Sequence, residues 1–230
     1  MPSPQTDACV ELIDVMGSDL TVVNAAAKEH EIFEEPNDTR LISYLASHNH
    51  WTPFSHPTIQ FRITVPIFVA RQWVKSMVGT RRTPIEAEQF SAVNETSRRY
   101  VGDGPEFYRI DQYRAKPVKY VKQGSGGTLD QETNERCINM ALSVEQNATA
   151  CYREMLALGV APEQARSILP QSMLTQWYET ASLAYWARFC GLRLGEHAQQ
   201  EIKDYAVVIS GIMGELFPVS WPVLMAQGEA

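Results

Sequence analysis

TIQFRITV, residues 58–65, alternates apolar and polar side chains, and PIFVARQW, residues 66–73, follows it without a break. Alternation of period two is the signature of a half-buried strand. The next segment, 66–78, reads as a helix carrying Arg71, Gln72 and Lys75, with Arg71 and Lys75 four apart on one face. Upstream, VELIDV at 10–15 is a second strand candidate, closed by the turn signal Gly17-Ser18-Asp19. Residues 20–29 and 40–48 have helical spacing, the latter behind a possible cap in Asn37-Asp38-Thr39. HWTPFSHP at 50–57 holds two prolines, each restricting the residue before it, so it reads as a loop.

Downstream, residues 79–92 read as a loop and 101–130 as a glycine-rich surface excursion. From 129 onward the pattern is helical: 131–158 ending at Gly159, a helix opening at Ala161-Pro162-Glu163, then 173–189 and 197–217. Two short strands near the front and a helical C-terminal half favour an α+β fold over a doubly wound parallel sheet. With no internal repeat and no long linker, residues 1–230 read as a single domain.

Composition narrows the function. At 230 residues and 44% hydrophobic content the chain is long and apolar enough to bury a core. Twenty basic against 27 acidic residues give a net charge of −7, which opposes general nucleic-acid or anionic-membrane binding. A local basic pocket for a small phosphorylated ligand stays open. The four cysteines, Cys9, Cys137, Cys151 and Cys190, form no C-x-x-C pair, so neither a structural zinc nor a redox dithiol is signalled. The start has no signal-peptide pattern, and no apolar run reaches the ~20 residues of a membrane span. A soluble, cytoplasmic-type protein is expected.

Motifs sharpen this. GSGG at 124–127 lacks the Lys-Ser/Thr pair and preceding strand of a P-loop, and no G-x-G-x-x-G follows a strand. His48, His50 and His56 have no acidic partner nearby, so ligand contact from a rigid loop fits better than metal binding. Cys190 has no local base and reads as a packing residue. The arginines say more. Arg71, the Arg98-Arg99 pair, Arg166, Arg188 and Arg193 stand amid apolar residues of an acidic chain. That pattern suggests a built anion site, since the planar guanidinium fork suits phosphate and nucleobase carbonyls.

Four blocks, PIFVARQW (66–73), NETSRRY (94–100), ARSILP (165–170) and LRLGEHAQQEI (192–202), resemble the flavin-dependent thymidylate synthases. VELIDVMGSDLTVVNAA and HNHWTPFSH add to the likeness, which runs in order from residue 9 to about 217. The resemblance implies an α+β fold with a small antiparallel sheet flanked by helices, and a homotetramer with shared active sites. It implies FAD as cofactor, NADPH as reductant, methylenetetrahydrofolate as carbon donor and dUMP as acceptor. Carried over, Thr52 and His50 would meet FAD, His50 at the flavin/folate face. Gln72 would contact the nucleotide. Glu95, Thr96, Ser97, Arg98 and Arg99 would line the dUMP pocket from a neighbouring subunit, and Arg166 would also hold dUMP. Glu95 would also reach the cofactor. Ser182, Leu183, Ala184 and Arg188 match FAD-contacting positions, and Arg193 matches the arginine that promotes ionisation at the pyrimidine N3.

The implied chemistry suits these residue types. Uracil C5 must act as a carbon nucleophile, and a guanidinium at the N3/O2 edge stabilises the ring anion that enriches it. No cysteine nucleophile is needed, and none of the four cysteines follows a proline as in the classical thymidylate synthases. Ser97 reads as a binding group, having no histidine base nearby in sequence.

One departure stands out. Where the family carries Arg-His-Arg, this chain has Lys75, Ser76 and Met77, and about a dozen extra residues fall within 78–92. These three positions are expected against the cofactor, with Lys75 also reaching the substrate. Arg81-Arg82 of the insertion would replace the lost positive charge. Two alternatives accompany the thymidylate synthase reading. One is the same chemistry on UMP, as in nucleoside-antibiotic pathways. The other is a non-catalytic flavin- or nucleotide-binding relative.

Overall fold

The structure, a computed structural model, describes residues 9–26, 30–77, 91–95, 104–117 and 124–227. Among these, four strands, β1 (Cys9–Met16), β2 (Thr58–Pro66), β3 (Ser91–Glu95) and β4 (Leu174–Ser182), form one sheet in the order β1-β2-β4-β3. Eight helices of the described residues accompany it: α1 (Asp19–Ala26), α2 (Asn37–Ser47), α3 (Ile67–Trp73), α4 (Gln131–Ala157), α5 (Pro162–Ala165), α6 (Leu183–Arg193), α7 (Gln200–Leu216) and α8 (Ser220–Gln227). The α+β class read from the sequence is the class observed. β2 and β4 run antiparallel: Gln60 bonds Thr180 across 2.8 Å, and four residues further along β2 Thr64 bonds Gln176, four residues back along β4, across 2.9 Å.

The chain forms two compact units. One comprises Met1–Cys9, Thr64–Arg71 and Glu95–Trp177; the other comprises Val10–Ile63, Gln72–Asn94 and Tyr178–Ala230. In the second unit α6 is apolar nearly all round, so it lies inside the core rather than on it. Phe61 meets Trp186 edge-on at 4.9 Å, and Trp73 packs on Phe189 at 4.3 Å. Asp19, buried on α1, accepts the backbone N–H groups of Val219 and Ser220, each at 2.9 Å, and so caps the start of α8.

The first unit is built around α4. Asp130 caps it by accepting from the Thr133 N–H at 2.9 Å, and Gly159 at φ +87° closes its far end, where a side chain would be strained. Buried Asn134 pins the preceding excursion, accepting from the Tyr113 N–H and donating to the Asp111 carbonyl, both at 2.8 Å.

Four expectations need correction. Residues 173–189 are not one helix: β4 occupies Leu174–Ser182 and α6 begins at Leu183. β4 is an inner strand whose buried face mixes Thr175 and Glu179 with Trp177 and Ala181, which hides its period of two and lets Leu174, Trp177 and Ala181 imitate helical spacing. The loop expected at 79–92 gives way at Ser91 to β3, an edge strand too short to show a period. The helix at 66–78 ends at Trp73 and tightens into a 3-10 turn over Val74–Met77. Asn37-Asp38-Thr39 does lie at the start of α2, but no side chain caps it there. Asp38 instead accepts from the Glu34 N–H at 2.7 Å.

Candidate active site

The second unit gathers the most informative polar groups around Arg193. This residue closes α6, one turn beyond the buried Phe189 and Cys190, so the helix fixes where its side chain starts. Its Nε donates to Ser76 Oγ at 3.0 Å and its Nη2 donates to the Gln72 carbonyl. Partial burial pulls its pKa below the ordinary guanidinium value, against a smaller opposing pull from Tyr185. It is still a cation at neutral pH. The result is a positive charge held in one orientation by the end of α3 and the 3-10 turn that follows it.

Gln72, half-buried, extends this network. Its side-chain amide donates to Gln199 Oε1, and Gln199 Nε2 donates to Glu201 at 2.7 Å. Glu201 is 6% exposed and sits in the first turn of α7, where the helix N-terminus favours an acid. Beneath lies Glu179 of β4, fully buried, accepting from Trp73 Nε1 at 2.9 Å and from the Tyr185 hydroxyl. Burial and the adjacent Glu179 carboxylate push the Tyr185 hydroxyl far up, so it stays a donor.

At the opposite end of α6 lies the histidine loop. The Leu183 N–H donates to the Pro57 carbonyl at 3.0 Å, and Trp186 Nε1 donates to the Ile59 carbonyl at 3.3 Å. Ser182 caps the helix, accepting from the Tyr185 N–H at 3.3 Å. Residues 50 and 52 are thereby brought to the same end of the helix as residues 182–184. Tyr44 and His48 stack at 4.1 Å, with His50 edge-on to Tyr44 at 5.9 Å. Tyr44 and Trp51 are exposed, leaving aromatic surface open to solvent here.

The sequence-predicted residues fall into three sets. Gln72, Ser76 and Arg193 converge, and His50, Thr52, Ser182, Leu183 and Ala184 share one end of α6. Ser76, expected against the cofactor, is buried and accepts from Arg193 through its hydroxyl oxygen, while Lys75 and Arg188 are exposed. Leu183 and Ala184 are buried, leaving chiefly backbone at the helix start to meet a ligand. In the first unit, Glu95 accepts from Thr175 Oγ1, and exposed Arg166 donates from Nε to the Glu163 carbonyl at 3.3 Å. Thr96, Ser97, Arg98, Arg99, Arg81 and Arg82 lie outside the described residues, as does the insertion at 78–90.

Sequence reasoning missed Glu179, Tyr185, Gln199 and Glu201. The available signal was a glutamate on the apolar face of a helix, Glu201 four residues before Tyr205. Cys190 is the packing residue the sequence suggests: it is fully buried, and burial pushes its thiol up, away from nucleophilic reactivity. Among the described residues no helix is long and apolar enough to cross a membrane.

Comparison with known proteins matches residues 11–219 to a family described as thymidylate synthase complementing protein. The chain is 36% identical over 211 residues to a flavin-dependent thymidylate synthase of Thermosipho africanus, covering 91% of this chain and 87% of that protein. It is 37% identical over 214 residues to one from Thermus thermophilus, covering 92% and 73%. Among solved structures, a UMP/dUMP methylase from Streptomyces cacaoi bound with 5-Br UMP aligns with a TM-score of 0.83 at 27% identity, covering 98% of this chain and 97% of that one. The same methylase bound with 5-Br dUMP gives 0.82 at 28% identity.

Proposed function

The chain belongs to the flavin-dependent thymidylate synthase family, and on that premise we propose that it methylates C5 of a uracil nucleotide, converting dUMP to dTMP. FAD is the cofactor in this reading, NADPH the reductant and methylenetetrahydrofolate the carbon donor. The observation that carries it is the fixed guanidinium of Arg193, held by Ser76 and the Gln72 carbonyl.

C5 of uracil attacks the methylene carbon as a nucleophile, and the C5 proton is then lost. The attack is eased when negative charge spreads over N3 and its flanking carbonyls. A cation fixed before the reaction stabilises that charge without having to reorganise. Arg193 is such a cation, half-buried where water screens it less. Cys190, sealed in the core, takes no part as a nucleophile.

The residues at the start of α6 fit a flavin. Tyr44, His48, His50 and Trp51 offer an aromatic rim for a flat ring. Thr52, the backbone of 182–184 and exposed Arg188 offer polar and cationic groups for the rest of the cofactor. When bound, reduced FAD supplies the hydride that completes the methyl group. Exposed Lys75 suits a nucleotide phosphate. Glu95, Thr96, Ser97, Arg98, Arg99 and Arg166 complete the pocket from a neighbouring subunit of a homotetramer. Exposed Met140 and Val144 on α4 and Val207 on α7 support such self-association.

A specific observation favours a second reading: the solved neighbours are UMP/dUMP methylases. One 2′-hydroxyl separates the two substrates. Tritium release from C5-labelled dUMP and UMP, with FAD, NADPH and methylenetetrahydrofolate, tests both. Release from dUMP is the expected result. Faster release from UMP makes the ribonucleotide the substrate, and release from neither overturns the proposal.

A further inference from the structure

We propose that Glu201, acting through Gln199, fixes the polarity of the Gln72 side-chain amide and so makes the site select uracil over cytosine nucleotides. This rests on the reading that a pyrimidine nucleotide binds beside Arg193.

Three side chains transmit the polarity. An ionised carboxylate only accepts hydrogen bonds, so Glu201 compels Gln199 to turn its NH2 group inward, as the 2.7 Å bond records. Gln199 then has only its carbonyl oxygen for Gln72, and Gln72 answers with its own NH2 group. The amide oxygen of Gln72 is left over, with no hydrogen-bond partner among the described residues. Either amide alone could flip at little cost. Tied to Glu201, which is 6% exposed and held in the first turn of α7, neither can.

Gln72 therefore offers an acceptor on the same residue whose backbone carbonyl anchors the Arg193 donor. An acceptor beside a donor matches the imide edge of uracil, where N3–H donates and a neighbouring carbonyl accepts. Cytosine presents an unprotonated N3 there. It would set lone pair against lone pair and leave the Gln72 oxygen unpaired, a penalty rather than a missing gain. Glu201 and Gln199 are positioning residues in this account: they touch Gln72 or each other, not the nucleotide.

The test is calorimetric binding of dUMP, UMP, dCMP and CMP to the FAD-loaded protein, repeated for Glu201→Gln and Gln199→Ala. The amide introduced by Glu201→Gln could donate as well as accept, which frees the amides of Gln199 and Gln72 to flip and present NH2 outward. The preference for uracil over cytosine nucleotides should then fall by about 10-fold or more, chiefly through tighter dCMP and CMP binding. Gln199→Ala cuts the relay and should lower the ratio too, covering the case in which the first variant misfolds. A purely structural role would weaken all four nucleotides together and leave the ratio unchanged. An unchanged ratio in folded, flavin-loaded variants overturns the proposal. If the parent protein binds no uracil nucleotide at all, the functional reading falls and takes this inference with it. Uracil binding with an unaltered ratio sinks this inference alone.

Discussion

Trp73 donates its indole N–H to the Glu179 carboxylate at 2.9 Å, joining residues 106 apart in sequence. The bond ties the end of α3 to β4 in the core; Gln72 immediately precedes that anchor, and the 3-10 turn bearing Ser76 immediately follows it. Tyr185 supplies the second donor. Replacing it as Tyr185→Phe removes one hydrogen bond to a buried carboxylate, a loss of about 1–3 kcal/mol. The urea midpoint should drop accordingly; an unchanged midpoint would mean that water takes the place of the hydroxyl.

Arg193→Lys keeps the charge and discards the fork. A lysine ammonium cannot hold Ser76 and the Gln72 carbonyl in the planar geometry that fixes the guanidinium. Tritium release should slow by about 100-fold, while thermal stability stays near the parent value. Activity within a factor of two of the parent would remove Arg193 from the chemistry.

Asp38 gives the fold an acid-sensitive component. Burial pushes its carboxyl up, but the Glu34 N–H and His30 together outweigh that, and the net value is below the ordinary one of about 3.9. A depressed carboxylate contributes stability in full above about pH 4 and loses it as pH falls through the native value. Asp38→Asn should lower the thermal midpoint at neutral pH and flatten its decline in the acid range. A parallel decline in both proteins would contradict this.

Glu145 shows the opposite economy. It is buried on α4 and lines a cavity of about 370 Å³ with Phe68, Tyr108 and Tyr113. Ser172 donates to one of its oxygens at 3.4 Å; the other has no hydrogen bond among the described residues, and the exposed Arg109 stands 3.6 Å away. Glu145→Met should therefore stabilise the protein by about 1 kcal/mol. A lower melting temperature would show instead that the pairing with Arg109 is net favourable.

How much of this was legible in sequence depends on how local the cause is. β2 announced itself because one face is buried and the other is not, and Gly159 and Pro162 marked helix ends by their backbone limits alone. β4 did not, because its buried face sets Thr175 and Glu179 beside Trp177 and Ala181 and so breaks the apolar alternation. Arg193 and Gln72 surfaced through recognisable blocks of residues. Glu179 and the Gln199–Glu201 relay did not, since a buried acid means little until the donors facing it are known, and Trp73 lies about a hundred residues away.

The bond from Leu183 to Pro57 makes α6 a ruler. One end of the helix is fastened to the aromatic loop, and the other carries Arg193. Eleven residues at 1.5 Å of rise set those ends about 15 Å apart. Buried on nearly all sides, the rod can neither bend nor slide without disturbing Trp186 and Phe189. The spacing between the aromatic loop and the backbone that carries the Arg193 guanidinium is then a property of helix length rather than of side-chain choice. Side chains around the helix can change while that spacing stays constant, but a one-residue insertion in α6 would rotate Arg193 by about 100° and break its bonds to Ser76 and the Gln72 carbonyl.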